Sequence, residues 1–328
     1  MVSSSMHVGL WRDHPRVCSV RSGLAPEFVF PSARQAITAA LRLAGFSRAH
    51  RVAVPEWSSH CVLSAVGRCA TPLPMKEVFS ASIPVDGLLI YEQWGWPLVP
   101  HAYASIEQHF TGRFIVWDRV DSGHCMQPLP YGFDSSAAQV ISFSKLLGYS
   151  GGGLLRHQDS YVPVPPREIS DFTRALLRLP AECRSSFEYK EAFKNFGEVL
   201  HPDAASEVRQ NDIFTAIESE RRDRISRVQE LLDSLLTSDW PQWMRDAVTS
   251  GCGPGIAPVL RGASKQVMQA CIAALEELGI GAAVYHFNWS GDPLRPAYEP
   301  CLAVPVHGQV HSVKTLIATL LSAAVTKL

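Results

Sequence analysis

The sequence predicts an α/β fold, with a large domain on a mostly parallel sheet and a smaller C-terminal α/β domain. Three observations carry this expectation. Short runs at Arg51–Pro55, Gly87–Tyr91 and Arg113–Trp117 alternate with segments of helical periodicity. Their residues are largely apolar throughout, the pattern of strands covered on both faces. After Pro163, Pro165 and Pro166 the pattern gives way to helices and then returns as a second βα-rich series. The expected organisation is a large domain over residues 1–165 with an N-terminal extension, a helical connection over 166–240, and a small domain over 241–328.

Taken in order, residues 1–30 are polar and irregular. Ser32 suits an N-cap, and Ala33, Ala36, Ile37, Ala40 and Leu41 recur at helical spacing until Gly45 stops the helix. The strand at Arg51–Pro55 leads to a loop, Trp57–His60, and Cys61–Val66 begins another helix. The second strand, Gly87–Tyr91, runs into Gln93-Trp94-Gly95-Trp96-Pro97. A helix around His101–Phe110 precedes the third strand, which closes at Asp118. Ligands of parallel sheets sit at the carboxyl ends of strands. Pro55–His60, Gln93–Pro97 and Asp118–His124 all fall at such ends.

A strand through Val140 and Ile141 then enters a turn, Ser142-Phe143-Ser144-Lys145. Gly151-Gly152-Gly153 and a second short strand follow, giving a hairpin-like pair around the lysine. Further on, Glu218–Ser234 reads as a long charged helix with Ile225, Val228, Leu231 and Leu232 on one face. Ala257–Leu260, Ala282–Phe287 and Cys301–Pro305 read as strands, Ser264–Leu278 as an amphipathic helix and Val310–Leu328 as a closing helix.

Composition narrows the function. At 46% hydrophobic and 19% charged, the chain reads as an ordinary globular protein. A formal net charge of −1 gives no electrostatic case for nucleic acid or an anionic membrane as partner. Met1–Val20 carries charges and histidines where a signal peptide needs an apolar run, and no segment is apolar for long enough to span a bilayer. The eight cysteines include no C-x-x-C pair and read as reduced thiols, so the expected setting is the cytoplasm. The scattered His and Cys lack metal-ligand spacing, so no metal site is expected.

Lys145 is the focus of the chemistry. It lies in an apolar, glycine-flanked segment with hydroxyls just before it. A lysine that attacks carbonyls must be held rigidly and desolvated so that it can lose its proton. A surface lysine is the bland alternative. Ser142-x-x-Lys145 also fits the S-x-x-K of penicillin-binding enzymes, but Lys314-Thr315-Leu316 fails the K-T-G partner at its glycine.

Four blocks carry a resemblance. Ser32-Ala33-Arg34-Gln35-Ala36 is similar to an S-G-x-x-A helix start, and Val54-Pro55-Glu56-Trp57 to a V-P-x-[FYW] strand end. Trp117-Asp118-Arg119-Val120-Asp121-Ser122 resembles E-D-x-A-[HQ]-S, and Ser142-Phe143-Ser144-Lys145 with Gly151–Gly153 resembles S-F-x-K…G-G. In this order, over residues 30–156, they resemble the DegT/StrS-type aminotransferases, fold-type I enzymes dependent on pyridoxal 5'-phosphate (PLP).

The resemblance implies a Schiff base of PLP on Lys145 and a carboxylate beside the pyridine nitrogen. Asp118 matches the family's Asp. Asp121 stands where the family has His or Gln. A shifted register would make Asp121 the pyridine partner, with His124 as the histidine. Ser142 and the amides of Ala33 and Arg34 would hold the phosphate, with the dipole of the helix behind them. Trp57 or His60 would stack on the ring, and Gln93 and His124 would face the substrate. A core tryptophan is the alternative for Trp57. The implied reaction moves an amino group from a donor such as glutamate to a keto-sugar or similar carbonyl acceptor. The implied state is a homodimer.

Departures from the family pattern are also visible. Glu92 replaces a His, Gly67–Gly87 is short, and no G-N-x-R block occurs. They leave open another PLP reaction (lyase, racemase or cyclase type), or a protein with the fold and no catalysis. Pro305-Val306-His307 reads as a turn with a surface histidine.

Overall fold

A computed structural model of the chain describes residues 7–17, 24–129, 133, 137–166 and 168–325. The first half holds a seven-stranded sheet. Its strands are β1 (Arg51–Val54), β2 (Thr71–Pro74), β3 (Gly87–Tyr91), β4 (Phe114–Asp118), β5 (Ala137–Ser142), β6 (Gly153–His157) and β7 (Ser160–Tyr161). Their spatial order is β2-β1-β3-β4-β5-β6-β7. The first five of that order run parallel, and β6 and β7 are antiparallel additions. The helices of this half are α1 (Ala33–Leu43), α2 (His60–Gly67), α3 (Met75–Ser80), α4 (Pro100–Phe110) and α5 (Phe143–Leu147).

The strands read as apolar runs because both faces are covered. Val52, Val54, Leu89, Val116 and Val140 pack with Ala36, Ile37, Ala40 and Leu41 of α1 and with Ala65 and Val66 of α2. Ala53, Leu88, Ile90, Ile115 and Trp117 turn to the opposite face, with Val78 of α3 and with Ala102 and Ile106 of α4. Each fully buried large aliphatic contributes about 1.5–3 kcal/mol, so the sheet's rigidity is set here and its carboxyl edge is free to carry polar groups.

Two elements depart from the sequence reading. No strand is expected between Gly67 and Gly87, yet β2 forms there with Pro72 and Pro74 in it. It is tolerated because β2 is an edge strand, where a residue without an N–H leaves no inner ladder bond unmade. The turn expected at Lys145 is a short helix, α5. Ser142 caps it, its Oγ accepting from Lys145 N at 3.5 Å, and Gly148 ends it at φ +69°.

Glycines bring this segment against α1. Gly152 N donates to Pro31 O at 3.0 Å, and Phe30 and Gly153 exchange backbone hydrogen bonds. A Cβ on Gly153 would lie 2.8 Å from Ala33 N and 2.9 Å from Ile141 O, so only glycine lets the start of α1 approach.

The second half begins with α6 (Asp171–Leu177), α7 (Phe187–Phe196), α8 (Pro202–Gln210), α9 (Ile213–Leu232) and α10 (Gln242–Thr249). A three-stranded antiparallel sheet follows, from β8 (Ile256–Val259), β9 (Ala283–Asn288) and β10 (Tyr298–Pro305) in the order β8-β10-β9. It is accompanied by α11 (Lys265–Glu277) and α12 (Val313–Val325). Residues 326–328 of the expected closing helix lie outside the described residues. The charged helix starts earlier than its pattern suggests, because Asp212 Oδ1 caps it by accepting from Phe214 N and Thr215 N.

His307 is not a surface histidine. It is 1% exposed, with Nε2 3.0 Å from Gly9 O. Its burial follows from residues 7–17, which are irregular as expected but closely packed. Val8 N donates to Gly279 O and Gly281 N to Val8 O, each at 2.7 Å. At the far end Arg16 N donates to Leu147 O at 2.8 Å. This strap runs from beside the small sheet to α5.

Replacing Gly153 with Ala should destabilise the protein by roughly 1–3 kcal/mol, the usual penalty of forcing a methyl into a closed space. Chemical denaturation measures it, and unchanged stability would contradict the close approach of α1 to β6.

Candidate active site

Three strand ends and one short helix converge at the carboxyl edge of the large sheet. Tyr91 ends β3, Asp118 ends β4, Asp121 lies in the turn that follows, and α5 supplies Lys145. Lys145 Nζ is 3.3 Å from Asp121 Oδ2. The lysine side chain is 36% exposed while the aspartate is buried. Tyr91 OH donates to the same Oδ2 and accepts from Trp94 N at 3.1 Å. Asp121 Oδ1 is buried with no hydrogen-bond partner among the described residues.

The charges explain the protonation states. Burial alone favours a neutral Lys145, but Asp121 and Asp118 outweigh it and hold the lysine pKa above its ordinary value. Desolvation therefore does not free the amine's proton here, as the sequence reading expected. Asp118 is buried, and its Oδ1 accepts from Val120 N at 3.2 Å. Burial pushes its pKa up to about 7, Lys145 opposes this, and Asp121 adds to it. Both carboxylates act on the one ammonium.

A second set of buried groups lies beneath. Glu92 accepts from Trp117 Nε1 at 3.0 Å and also from Ser122 Oγ. It pairs with Arg119 and His124, each at 3.1 Å. Burial would raise the Glu92 pKa, but Arg119 and His124 bring it down to about 2. Arg119 also donates to the carbonyls of His124, Cys125 and Gln127. The loop carrying Asp121 is thereby pinned from below.

This network corrects two expectations. His124 belongs to this network. Its Nε2 is engaged by Glu92, and its Nδ1 lies 3.8 Å from Cys252 Sγ. Gln93 is half-buried and bonded to the small sheet. Its Nε2 donates to His286 O at 2.8 Å, and its Oε1 accepts from Asn288 N at 3.0 Å, so it ties the end of β3 to β9.

The ring-stacking candidates also separate. Trp57 is 55% exposed, which removes the core alternative. One face of its ring is stacked on His286, with centroids 4.1 Å apart and planes at 8°. His60 is exposed on the first turn of α2. Its neighbour Cys61 is one of the groups acting electrostatically on Lys145.

On the anion side, Ser32 caps α1, its Oγ accepting from Gln35 N at 3.4 Å. Ser142 Oγ is 3.0 Å from Ser144 Oγ. The Ala33 nitrogen is packed against Gly153, and Arg34 N is the next amide along the helix start. The structure thus brings Ser32, Ala33, Arg34 and Ser142 to the glycine junction beside α5.

Sequence reasoning missed four contributors. Tyr91 could have been noticed as an aromatic with a polar tip at a strand's carboxyl end. Glu220 and Arg224 look like ordinary charges of an exposed helix, yet both are buried. Arg224 donates to Asp121 O at 2.8 Å and Lys145 O at 3.3 Å. Trp11, from the N-terminal strap, has its ring centroid 4.9 Å from Lys145 Nζ. Nothing local in the sequence indicates these long-range contacts.

PLP needs an amine, an acid beside its ring nitrogen and an anion-binding helix start. Lys145, the under-neutralised Asp118 and the head of α1 suit those needs. The unpartnered Asp121 Oδ1 leaves one acceptor to spare. Among the described residues no cluster of His, Cys, Asp or Glu could hold a metal ion. No helix there is long and apolar enough to cross a membrane.

A family model described as "Putative PLP-dependent aminotransferase" matches residues 20–230. No curated protein matches the chain in sequence. Among solved structures the fold is similar to 3-amino-5-hydroxybenzoic acid synthase, at 16% identity and TM-score 0.58, covering 92% of this chain and 86% of that one. It is similar to a DegT/DnrJ/EryC1/StrS aminotransferase from Brucella abortus, at 12% identity and TM-score 0.55, covering 90% and 85%. It is also similar to DesV of S. venezuelae, at 17% identity and TM-score 0.53, covering 90% and 83%.

Two outcomes are expected. The folded-state pKa of Asp118 is raised from 3.8 to about 7. Its contribution to stability is therefore full below the lower value and lost as pH rises through the upper one. Asn cannot ionise, so in the cofactor-free protein the melting temperature of Asp118→Asn should gain on the parent between about pH 4 and pH 7. A gap that stays constant with pH would refute the assignment. Glu220→Gln should cost about 3–5 kcal/mol in urea denaturation, because it strands a buried guanidinium. Replacing Glu220 and Arg224 together with apolar residues should cost less.

Proposed function

The chain belongs to the family of PLP-dependent aminotransferases, and on that premise we propose that it moves an amino group from an amino acid such as glutamate to a keto-sugar or a similar small carbonyl compound. The observation that carries the proposal is the Lys145 amine, held 3.3 Å from Asp121 with Asp118 close by at the sheet's carboxyl edge. The acceptor class is the one that the resemblance of the four sequence blocks implies.

Bound PLP supplies an aldehyde that takes up amines and a ring that accepts electrons. The chain's own residues do the rest. Lys145 is the amine that receives the cofactor, and its Nζ takes and returns the proton of the substrate carbon. Asp118 would stand beside the ring nitrogen and hold it cationic, as a buried carboxylate whose pKa burial raises to about 7. Asp121 holds the lysine ammonium and accepts from Tyr91. Ser142 and the amides of Ala33 and Arg34 hold the phosphate. Trp57 and His286, stacked together, wall one side of the opening.

The proposal extends to a homodimer, the state implied by the family resemblance. It also extends to a cytoplasmic setting, which suits the seven free cysteines of the described residues. A second reading keeps the cofactor and changes the reaction. Asp121 favours it, because a carboxylate at that place alters how protons are shared with Lys145.

Titration with PLP should give a visible absorption band, and borohydride should fix the cofactor's mass to the Lys145 peptide. Lys145→Ala should lose the band and turnover together. A band and turnover that survive this substitution would sink the mechanism. With keto-sugar acceptors and glutamate, release of 2-oxoglutarate separates transamination from the second reading.

A further inference from the structure

Residues 7–17 cross the site rather than trail away from it. Val8 is tied to Gly279 and Gly281, and Gly9 O lies by His307. Asp13 N donates to Gln309 Oε1 at 2.9 Å. Arg12 and Arg16 reach Glu220 at 2.9 and 2.8 Å, and Arg16 also reaches Asp223 at 2.7 Å. Arg16 N is bonded to Leu147 O on α5. Between these ties Trp11 packs against the core of the small sheet and presents its ring to Lys145 Nζ at 4.9 Å.

The identity of this residue calls for a reason. Trp11 Nε1 is buried without a hydrogen-bond partner among the described residues. A buried donor left unpaired is unfavourable, and an aliphatic side chain would fill the space without that penalty. What an aliphatic chain cannot supply is the negative face of an aromatic ring, which attracts a cation.

We infer that Trp11 is a positioning residue for the reacting amine: its ring face forms one wall of the amine pocket, steadies Lys145 against Asp121 and keeps it protonated until a ligand engages it. The titratable groups facing the amine are Asp121, Asp118 and Cys61, with Tyr91 acting through Asp121. Arg224 lies behind, on the Lys145 carbonyl. Each of these comes from the large sheet, α2 or α9, so the ring is the contribution of the N-terminal strap. The strap's arginines join the ion cluster that Arg224 uses to hold the backbone of Asp121 and Lys145. The wall and the site floor therefore share one support.

The inference rests on Lys145 as the reacting amine, but its test is independent of the cofactor. The full chain without PLP is methylated with formaldehyde and cyanoborohydride, which report on the neutral amine. Lys145 is followed against exposed Lys76 by peptide mass spectrometry over a range of pH. Trp11→Leu keeps apolar bulk and removes the ring. It should raise the relative rate at Lys145 about three-fold at neutral pH and move the profile to lower pH. Trp11→Ala should do the same, and Trp11→Phe should restore the parent's profile. If the Trp11→Leu profile superimposes on that of the parent, the inference is wrong. Failure of the chain to take up PLP would defeat the functional reading alone and leave this comparison intact.

Discussion

Glu220 and Arg224, one turn apart on α9, form an ion pair with almost no exposure to solvent, at 2.9 Å. Burying such a pair is unfavourable unless its remaining donors and acceptors are used. Here they are. Glu220 also accepts from Gly308 N at 3.0 Å and from the guanidinium groups of Arg12 and Arg16. Arg224 spends its other donors on the carbonyls of Asp121 and Lys145. One charge pair therefore ties together the segments that bear Asp121 and Lys145, the turn before α12 and the N-terminal strap. Close packing enforces the arrangement, since a Cβ on Gly255 would lie 2.9 Å from Arg224 Nη1. The geometry between Lys145 and Asp121 follows from this pair more than from the sheet itself.

The Glu92 network works on the same principle from below. The Asp121 turn must leave the sheet edge and still be rigid, yet a loop has no ladder of its own. Arg119 provides a substitute by bonding three carbonyls of that turn while Glu92 neutralises it. His124 and Ser122 complete the coordination of Glu92. The turn is held between two buried ion clusters, one centred on Glu92 and one on Glu220.

The strands, their parallel sense and the place of the ligand edge were legible in the sequence because a two-sided core imposes an apolar run that periodicity detects. Lys145 and Asp118 were legible because they sit at the ends of such runs. What could not be read was pairing across distance. Glu220 and Arg224 look like solvent-facing charges, since α9 carries many and only the fold decides which are covered. His307 reads as a surface residue because the strap that buries it lies 298 positions earlier. Gln93 and His124 lie at the expected edge, but each is engaged there, Gln93 by β9 and His124 by Glu92. Position at a strand end predicts proximity to a site; it does not predict availability.

The charge balance links these supports to the chemistry. With Asp118 and Asp121 both ionised, Lys145 is their shared counter-ion, and this is why its pKa stands above the ordinary value despite burial. Any cation placed opposite Asp118 removes part of that demand. A cofactor ring nitrogen, if held protonated beside Asp118, would be such a cation. Burial raises the pKa of Asp118 to about 7, with Asp121 adding to it, while Asp121 and Asp118 together raise that of Lys145.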